Sequence, residues 1–175
     1  MTDTPPRSPR AQEIVAAALD ILEREGREAL TMRRLGDAVG MRAPSLYKHF
    51  PDKAAVEIAL MDEGFAQMAA ALEDAIAGEG DALAPLARAY RAFAKAHPHL
   101  YRLVTAGELP RDRLQPGVEA RAAAPLLRVT GDPDLARAVW AFAHGMVILE
   151  LDGRFPPGAD LDAAWAAGIR TLSPR

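Results

Sequence analysis

Leu30-Thr-Met-Arg-Arg-Leu-Gly-Asp-Ala-Val-Gly-Met-Arg-Ala-Pro-Ser-Leu-Tyr-Lys-His-Phe-Pro-Asp-Lys53 is the stretch that decides how the chain is read. Thr31 is placed to cap a short helix with the apolar face Leu35, Ala38 and Val39, and Gly40 stops it. Pro44 restarts a helix that carries Leu46, Tyr47 and Phe50, and Pro51-Asp52 closes it and caps the next one. Residues 31–50 are therefore predicted as helix, tight turn, helix. Ala38 is expected to be the small residue that lets the two helices approach, with Gly40 supplying the turn. Leu35, Val39, Met41, Leu46 and Phe50 would lock the pair onto the preceding helix. That leaves Arg42, Ala43, Pro44, Ser45, Tyr47, Lys48 and His49 facing outward.

Charge separates this stretch from the rest. The formal net charge is −3, which taken alone argues against a chain built to coat nucleic acid. Between Thr31 and Lys53, however, Arg33, Arg34, Arg42, Lys48 and Lys53 stand against Asp37 and Asp52, a local +3, leaving −6 for everything else. A helix-turn-helix presents its second helix to the DNA major groove with its N-terminal residues leading. In that setting Arg33, Arg34 and Arg42 read as DNA contacts rather than as an ordinary solvated face. Tyr47 reads as a phenol for phosphate, because Leu46 and Phe50 already fill the inward positions.

Working outward, the same punctuation continues. Ser8 followed by Pro9 starts a helix with Ile14, Val15, Ala18, Leu19 and Leu22 on one stripe, ended by Gly26 in a left-handed cap. Residues 1–7 read as a polar, proline-rich, disordered tail. A long helix runs from Lys53 to about Ala77 and is broken at Gly78-Glu79-Gly80. Further helices are predicted near 81–97, from Pro98 through Val104, near 118–129 and 134–152, and over 160–172. Alanine, the best helix former, is about a fifth of the chain, and aromatics are only 6%. The expected fold is all-α with about nine helices: an N-terminal three-helix helix-turn-helix domain over 8–60 and a C-terminal helical bundle over 61–175.

Composition also excludes. With no cysteine there are no disulfides, thiolate metal sites or Cys nucleophiles, and a cytoplasmic location is expected. The N-terminus lacks an apolar signal-peptide region, and no apolar run approaches the roughly 18 residues of a membrane span. His97 and His99 flank a proline and do not share one ligand sphere, so no metal is expected, and no cofactor. No nucleophile–base signature, zinc-protease motif or phosphate loop is present, so an enzyme is the least favoured class. A helical interaction module without DNA binding is the other alternative.

Residues 8–60 resemble the N-terminal domain of the TetR family of transcriptional regulators. The signature is Gly40, then Leu46-Tyr47-x-His49-Phe50, then Lys53. The resemblance implies that Thr31, Tyr47, His49 and Lys53 contact phosphates, and that Arg42, Ala43, Pro44, Ser45 and Lys48 face base edges or the flanking backbone. Ala43, directly before Pro44, departs from the pattern as a poor N-cap. His97-Pro98-x-Leu100-Tyr101-Arg102-Leu103 and Trp140-x-x-x-His144-Gly145 resemble one branch of the family less specifically. The implied function is a homodimeric repressor that binds a pseudo-palindromic double-stranded DNA operator and is released by a small hydrophobic or aromatic effector, whose entry swings the long helix behind Lys53.

Tyr90, Phe93, Tyr101, Trp140 and His144 are the candidate effector residues; the four aromatics read more often as core, but the resemblance implies a fold in which core and effector pocket coincide. His144 reads either as a cavity residue or, favoured on its own, as a core histidine with its hydrogen bond satisfied. Gly145 is expected to admit another helix closely. Trp140, Val147, Leu151, Trp165 and Ile169 are candidates for burial between the last two helices and their copies.

Overall fold

A computed structural model of the chain describes residues 7–77 and 82–173. Among them are nine α-helices and no strand: α1 Pro9–Glu25, α2 Met32–Ala38, α3 Ala43–Leu46, α4 Lys53–Ala75, α5 Leu83–Ala96, α6 Pro98–Thr105, α7 Val118–Thr130, α8 Pro133–Leu151 and α9 Leu161–Leu172, with one 3-10 turn at Arg27–Ala29. The break expected at Gly78-Glu79-Gly80, and the expected tail up to Pro6, lie outside the described residues. The helices group into two compact units: residues 1–65 with 97–118, and residues 66–96 with 119–175. The division falls within α4, after Phe65.

In the first unit the helix starts are those the sequence encodes. Ser8 Oγ accepts from the Ala11 N–H (3.3 Å), Thr31 Oγ1 from that of Arg34 (3.1 Å) and Asp52 Oδ1 from that of Ala55 (2.7 Å). The core takes Ile14, Val15, Ala18, Ile21 and Leu22 from α1, with Leu35, Leu46 and Phe50 from the helix-turn-helix. Ile21 replaces the expected Leu19, which is half-buried, because the inward stripe is centred one residue from where the pattern placed it. Gly26 has a positive φ of 83°, but its ψ of 172° lies outside the left-handed helical region, so the chain leaves α1 extended.

Two features corrected the sequence reading of the turn. Ala38 is exposed; the close approach is made at Gly36 instead. A Cβ on Gly36 would stand 3.0 Å from the Met41 carbonyl oxygen, and the Gly36 carbonyl accepts the Met41 N–H at 2.9 Å. Gly40 does supply the turn, at φ 63°. The N-cap of α3 is Arg42 rather than Ala43, which lies inside the helix ahead of Pro44.

Helix α6 starts against α1. Glu23 on α1 accepts the Leu100 N–H (2.9 Å), satisfying a donor that α6 cannot satisfy itself. At Gly64 on α4 a Cβ would lie 2.6 Å from Val104 and 3.1 Å from Leu100, so the absent side chain sets the α4–α6 spacing. Buried Asp62 accepts Arg7 (2.5 Å) and the Gln115 N–H (2.8 Å), tying the segment before α1 and the 106–117 loop to α4.

The second unit is built round one ion pair. Arg91 on α5 grips Glu150 on α8 with two nitrogens (2.8 and 2.6 Å) and reaches Asp162 on α9 (2.5 Å). Trp165 donates its indole N–H to Glu150 (3.3 Å), lies under the Arg91 guanidinium (5.6 Å) and meets Phe142 edge-on (5.7 Å). Caps at Asp132 and Asp160 start α8 and α9. Gly168 on α9 is the close approach here, since a Cβ would overlap the Phe142 ring. Gly145, expected to admit another helix closely, has no other element within 4 Å of a Cβ position among the described residues.

Two stability predictions follow from these contacts. Gly36→Ala gains helix propensity against a tight methyl contact, and its melting temperature should stay close to wild type. Gly36→Leu should lose about 2 kcal/mol in denaturant unfolding, and similar stability for the two variants would remove Gly36 as the close approach. Arg91→Met leaves the Glu150 carboxylate, only 7% exposed, with just Lys95 (3.4 Å) and the Trp165 indole, and should cost about 2 kcal/mol at neutral pH. Arg91 holds the Glu150 carboxyl below its ordinary value of 4.5. Its stabilisation is complete above that value and is lost as pH falls through the lowered pKa. The gap between Arg91→Met and wild type should therefore narrow below about pH 4.5 in urea titrations.

Candidate nucleic-acid interface

The recognition segment has a buried side and an exposed side. Leu46 is fully buried and Phe50 nearly so. Arg42, Ala43, Pro44, Ser45, Tyr47, Lys48 and His49 are all exposed, Tyr47 to 47% of its surface. Helix α3 is a single turn, and residues 47–49 continue as hydrogen-bonded turns: the His49 and Phe50 N–H groups both donate to the Leu46 carbonyl, at 2.9 and 3.1 Å. Its leading end is fixed by the Arg42 carbonyl, which accepts from Ser45 (2.9 Å) and Leu46 (3.2 Å). Thr31 and Arg33 are exposed beside it on α2 and its cap.

Intramolecular contacts sort the cations. Arg34 is engaged by Glu25 (2.6 Å). Lys53, half-buried, donates to the Arg27 carbonyl (3.0 Å) and stands 3.7 Å from Glu57. Glu57 also takes both forks of Arg27 (2.9 and 2.8 Å), and the Arg27 guanidinium holds its carboxyl below the usual carboxylate value. Among the described residues no acid pairs with Arg33, Arg42 or Lys48. These three carry the positive charge that remains available on the segment.

Arg10 is a positioning residue that the sequence reading missed. From the first turn of α1 it donates to the Val39 carbonyl (2.8 Å), holding the end of α2 where the turn begins. Its only sequence signal was an arginine at the start of an apolar helix, which also suits a solvated position. Thr31 uses its oxygen as a cap and keeps its O–H free to donate.

The expected effector residues divide between the two units, Tyr90, Phe93, Trp140 and His144 in the second and Tyr101 in the first. Tyr90 and Phe93 are buried on α5. Trp140 on α8 is 52% exposed and stacks at a tilt on half-buried His144, with ring centroids 6.2 Å apart. Burial lowers the His144 pKa from its ordinary value, which favours the neutral ring. Tyr101 lies in the first unit with no exposed surface. A cleft of about 300 Å³ in that unit is walled by Arg7, Phe50, Ile58, Asp62, Arg113 and Gln115 with two alanines, and by none of the five. Three of the expected dimer residues, Val147, Trp165 and Ile169, are buried by the chain's own packing; Trp140 is exposed and Leu151 half-buried. No helix among the described residues is long and apolar enough to cross a membrane.

Comparison with known proteins agrees with this geometry. Residues 14–60 match the family described as bacterial regulatory proteins, tetR family, and residues 83–172 match the tetracyclin repressor-like C-terminal domain. An uncharacterised HTH-type transcriptional regulator of Mycobacterium tuberculosis is 33% identical over 157 residues, covering 81% of this chain and 70% of that protein. A tetracycline repressor protein of class A from Escherichia coli is 39% identical over 54 residues, 31% of this chain and 25% of that protein. The solved structure of a multidrug binding protein complexed with imidazole superposes with a TM-score of 0.69 at 26% identity, covering 96% of this chain and 97% of that one. An exposed, cationic recognition segment on a buried anchor, followed by an all-helical C-terminal region, is thus accounted for: the chain belongs to the TetR family, and is a helix-turn-helix transcriptional regulator rather than an enzyme.

Proposed function

We propose that the chain is a ligand-responsive repressor. As a homodimer in the cytoplasm it binds a pseudo-palindromic operator through residues 8–60, and a small apolar or aromatic effector held within residues 61–175 releases it. The observation that carries the DNA-binding part is the set of unpaired cations Arg33, Arg42 and Lys48 beside exposed Tyr47, on a segment anchored by Leu46 and Phe50. Thr31, Tyr47 and His49 take phosphates, joined by Lys53 once it leaves the Arg27 carbonyl and Glu57; Arg33, Arg42, Ala43, Pro44, Ser45 and Lys48 face base edges or the adjoining backbone.

The outward face of α8 supports dimerisation. Ala141, His144, Gly145 and Ile148 recur at spacings of three and four, with Trp140 and Leu149 exposed at its edges. The open space over Gly145 suits a helix of a second copy. This replaces Val147, Trp165 and Ile169 as the surface presented to a partner. The relative complexed with imidazole supports a small-molecule effector. Tyr90, Phe93, Trp140 and His144 are the residues proposed for it in the second unit, with Tyr101 as the candidate on α6. The effector acts by binding the DNA-free state more tightly than the DNA-bound one; equal affinity would shift nothing.

The direct test is a titration of duplex DNA flanking the protein's own gene at several salt concentrations. Specific, salt-dependent binding is expected, and its absence with every duplex would favour a helical interaction module. Tyr47→Phe and Lys48→Ala should each weaken operator binding by about 1 kcal/mol, with little change in melting temperature. Equal losses of stability would place those side chains in the core. A Cβ at Gly145 meets nothing among the described residues of the single chain, so for Gly145→Glu sedimentation should find a folded monomer. A dimer of unchanged affinity would move the interface elsewhere.

A further inference from the structure

Arg42 occupies a helix-capping position and caps nothing. Ser8, Thr31, Asp132 and Asp160 stand at the same place in α1, α2, α8 and α9, and each accepts a backbone N–H there. An arginine side chain has no acceptor and cannot do this. The recognition helix therefore forgoes the stabilisation those four helices have, and carries a guanidinium at its leading end instead.

The backbone that carries this guanidinium is fixed. The Arg42 backbone is extended (φ −71°, ψ 146°), just outside the helix, and its carbonyl is pinned by the N–H groups of Ser45 and Leu46. Its side chain is exposed, and no acid among the described residues pairs with it, unlike Arg34 with Glu25. Because α3 has only one turn and Leu46 faces inward, the residues that lead it are Arg42, Ala43, Pro44 and Ser45. Of these, Arg42 alone can form two parallel hydrogen bonds to a base edge. Ala43 and Pro44 offer apolar surface, and the Ser45 hydroxyl suits several bases. Lys48, six residues on and roughly 9 Å along a helical rise, is a flexible point charge suited to phosphate.

We propose that Arg42 is the specificity-determining residue of the recognition helix: it reads one guanine in each operator half-site, donating to O6 and N7 in the major groove, while Ala43 and Pro44 pack on an adjacent thymine methyl. The assignment rests on the DNA-binding reading above and adds to it the identity of the base and the side chain that selects it. A fork of two donors matches guanine, whose O6 and N7 are both acceptors, and mismatches adenine, which presents a donor beside N7.

The test selects duplexes from a random library with the full-length wild type, Arg42→Ala, Arg42→Lys and Lys48→Ala. Wild type should enrich an inverted repeat with one invariant guanine per half-site. Arg42→Ala should enrich the same repeat with that position open, and should bind the wild-type operator about 5- to 100-fold more weakly. Arg42→Lys keeps the charge without the fork, so it should retain nonspecific affinity while losing discrimination at that base. Lys48→Ala should weaken all sequences alike. Replacing that guanine by 7-deazaguanine should impair the wild type and leave Arg42→Ala unaffected, which separates a lost base contact from a misfolded variant. If Arg42→Ala keeps the guanine preference, or weakens every duplex equally, the assignment is overturned. A wild type that enriches no sequence overturns the DNA-binding reading, and this assignment with it.

Discussion

A helix of four residues cannot hold itself together in water, because fixing the first turn costs more than its few hydrogen bonds return. The recognition helix Ala43–Leu46 is such a helix. Its persistence depends on the burial of Leu46, the side chain that fastens it to the rest of the first unit. Phe50 repeats the anchor one turn later, Gly36 lets the turn close, and Arg10 holds the carbonyl of Val39 before the chain reverses. The outward side chains therefore sit on a frame held by α1 and α2. That division of labour lets the outer face consist of an arginine, an alanine, a proline and a serine, none chosen for helix strength.

The second unit meets a different problem. Its helices are rich in alanine, which gives helix propensity but little apolar volume to bury. Specificity of packing comes from a few larger and polar groups. Arg91, Glu150, Asp162 and Trp165 join α5, α8 and α9 through interactions that demand particular angles, and Gly168 lets Phe142 lie against α9. A buried ion pair adds little net stability over an apolar substitute, but a mispaired arrangement strands charge and is penalised. The hub thus supports one packing over the alternatives open to three smooth helices.

Much of this architecture is legible in the sequence. Helix starts were marked by Ser8, Thr31, Asp52 and the prolines, because capping is a local interaction between residues three apart. The outward set Arg42, Ala43, Pro44, Ser45, Tyr47, Lys48 and His49 is exposed as expected, since one buried leucine in a short helix fixes the opposite face. Small residues were harder. The close approach expected at Ala38 belongs to Gly36, and that at Gly168 has no sequence signal, because a missing side chain does not announce which neighbour it admits. Val147, Trp165 and Ile169, expected between copies, belong to the core; an apolar stripe reads alike for either partner. Arg10, Glu23 and Arg91 act across 29, 77 and up to 71 residues of sequence, and no local pattern encodes such distances.

The contact between Glu23 and the start of α6 bears on where the DNA-binding head ends. The family match to the head stops at residue 60, yet the unit containing it resumes at His97 and runs to Val118. A fragment cut at residue 60 would leave Glu23 without the N–H it accepts and the α1 surface beside Gly26 without His99. The head is thus a discontinuous body, with residues 66–96 inserted between its two parts. Exchanging heads between relatives by a single crossover near residue 60 would join a new α1 to an old α6, two surfaces never selected to fit. A chimera that keeps the head intact needs two crossovers, so that α6 travels with the helix that caps it.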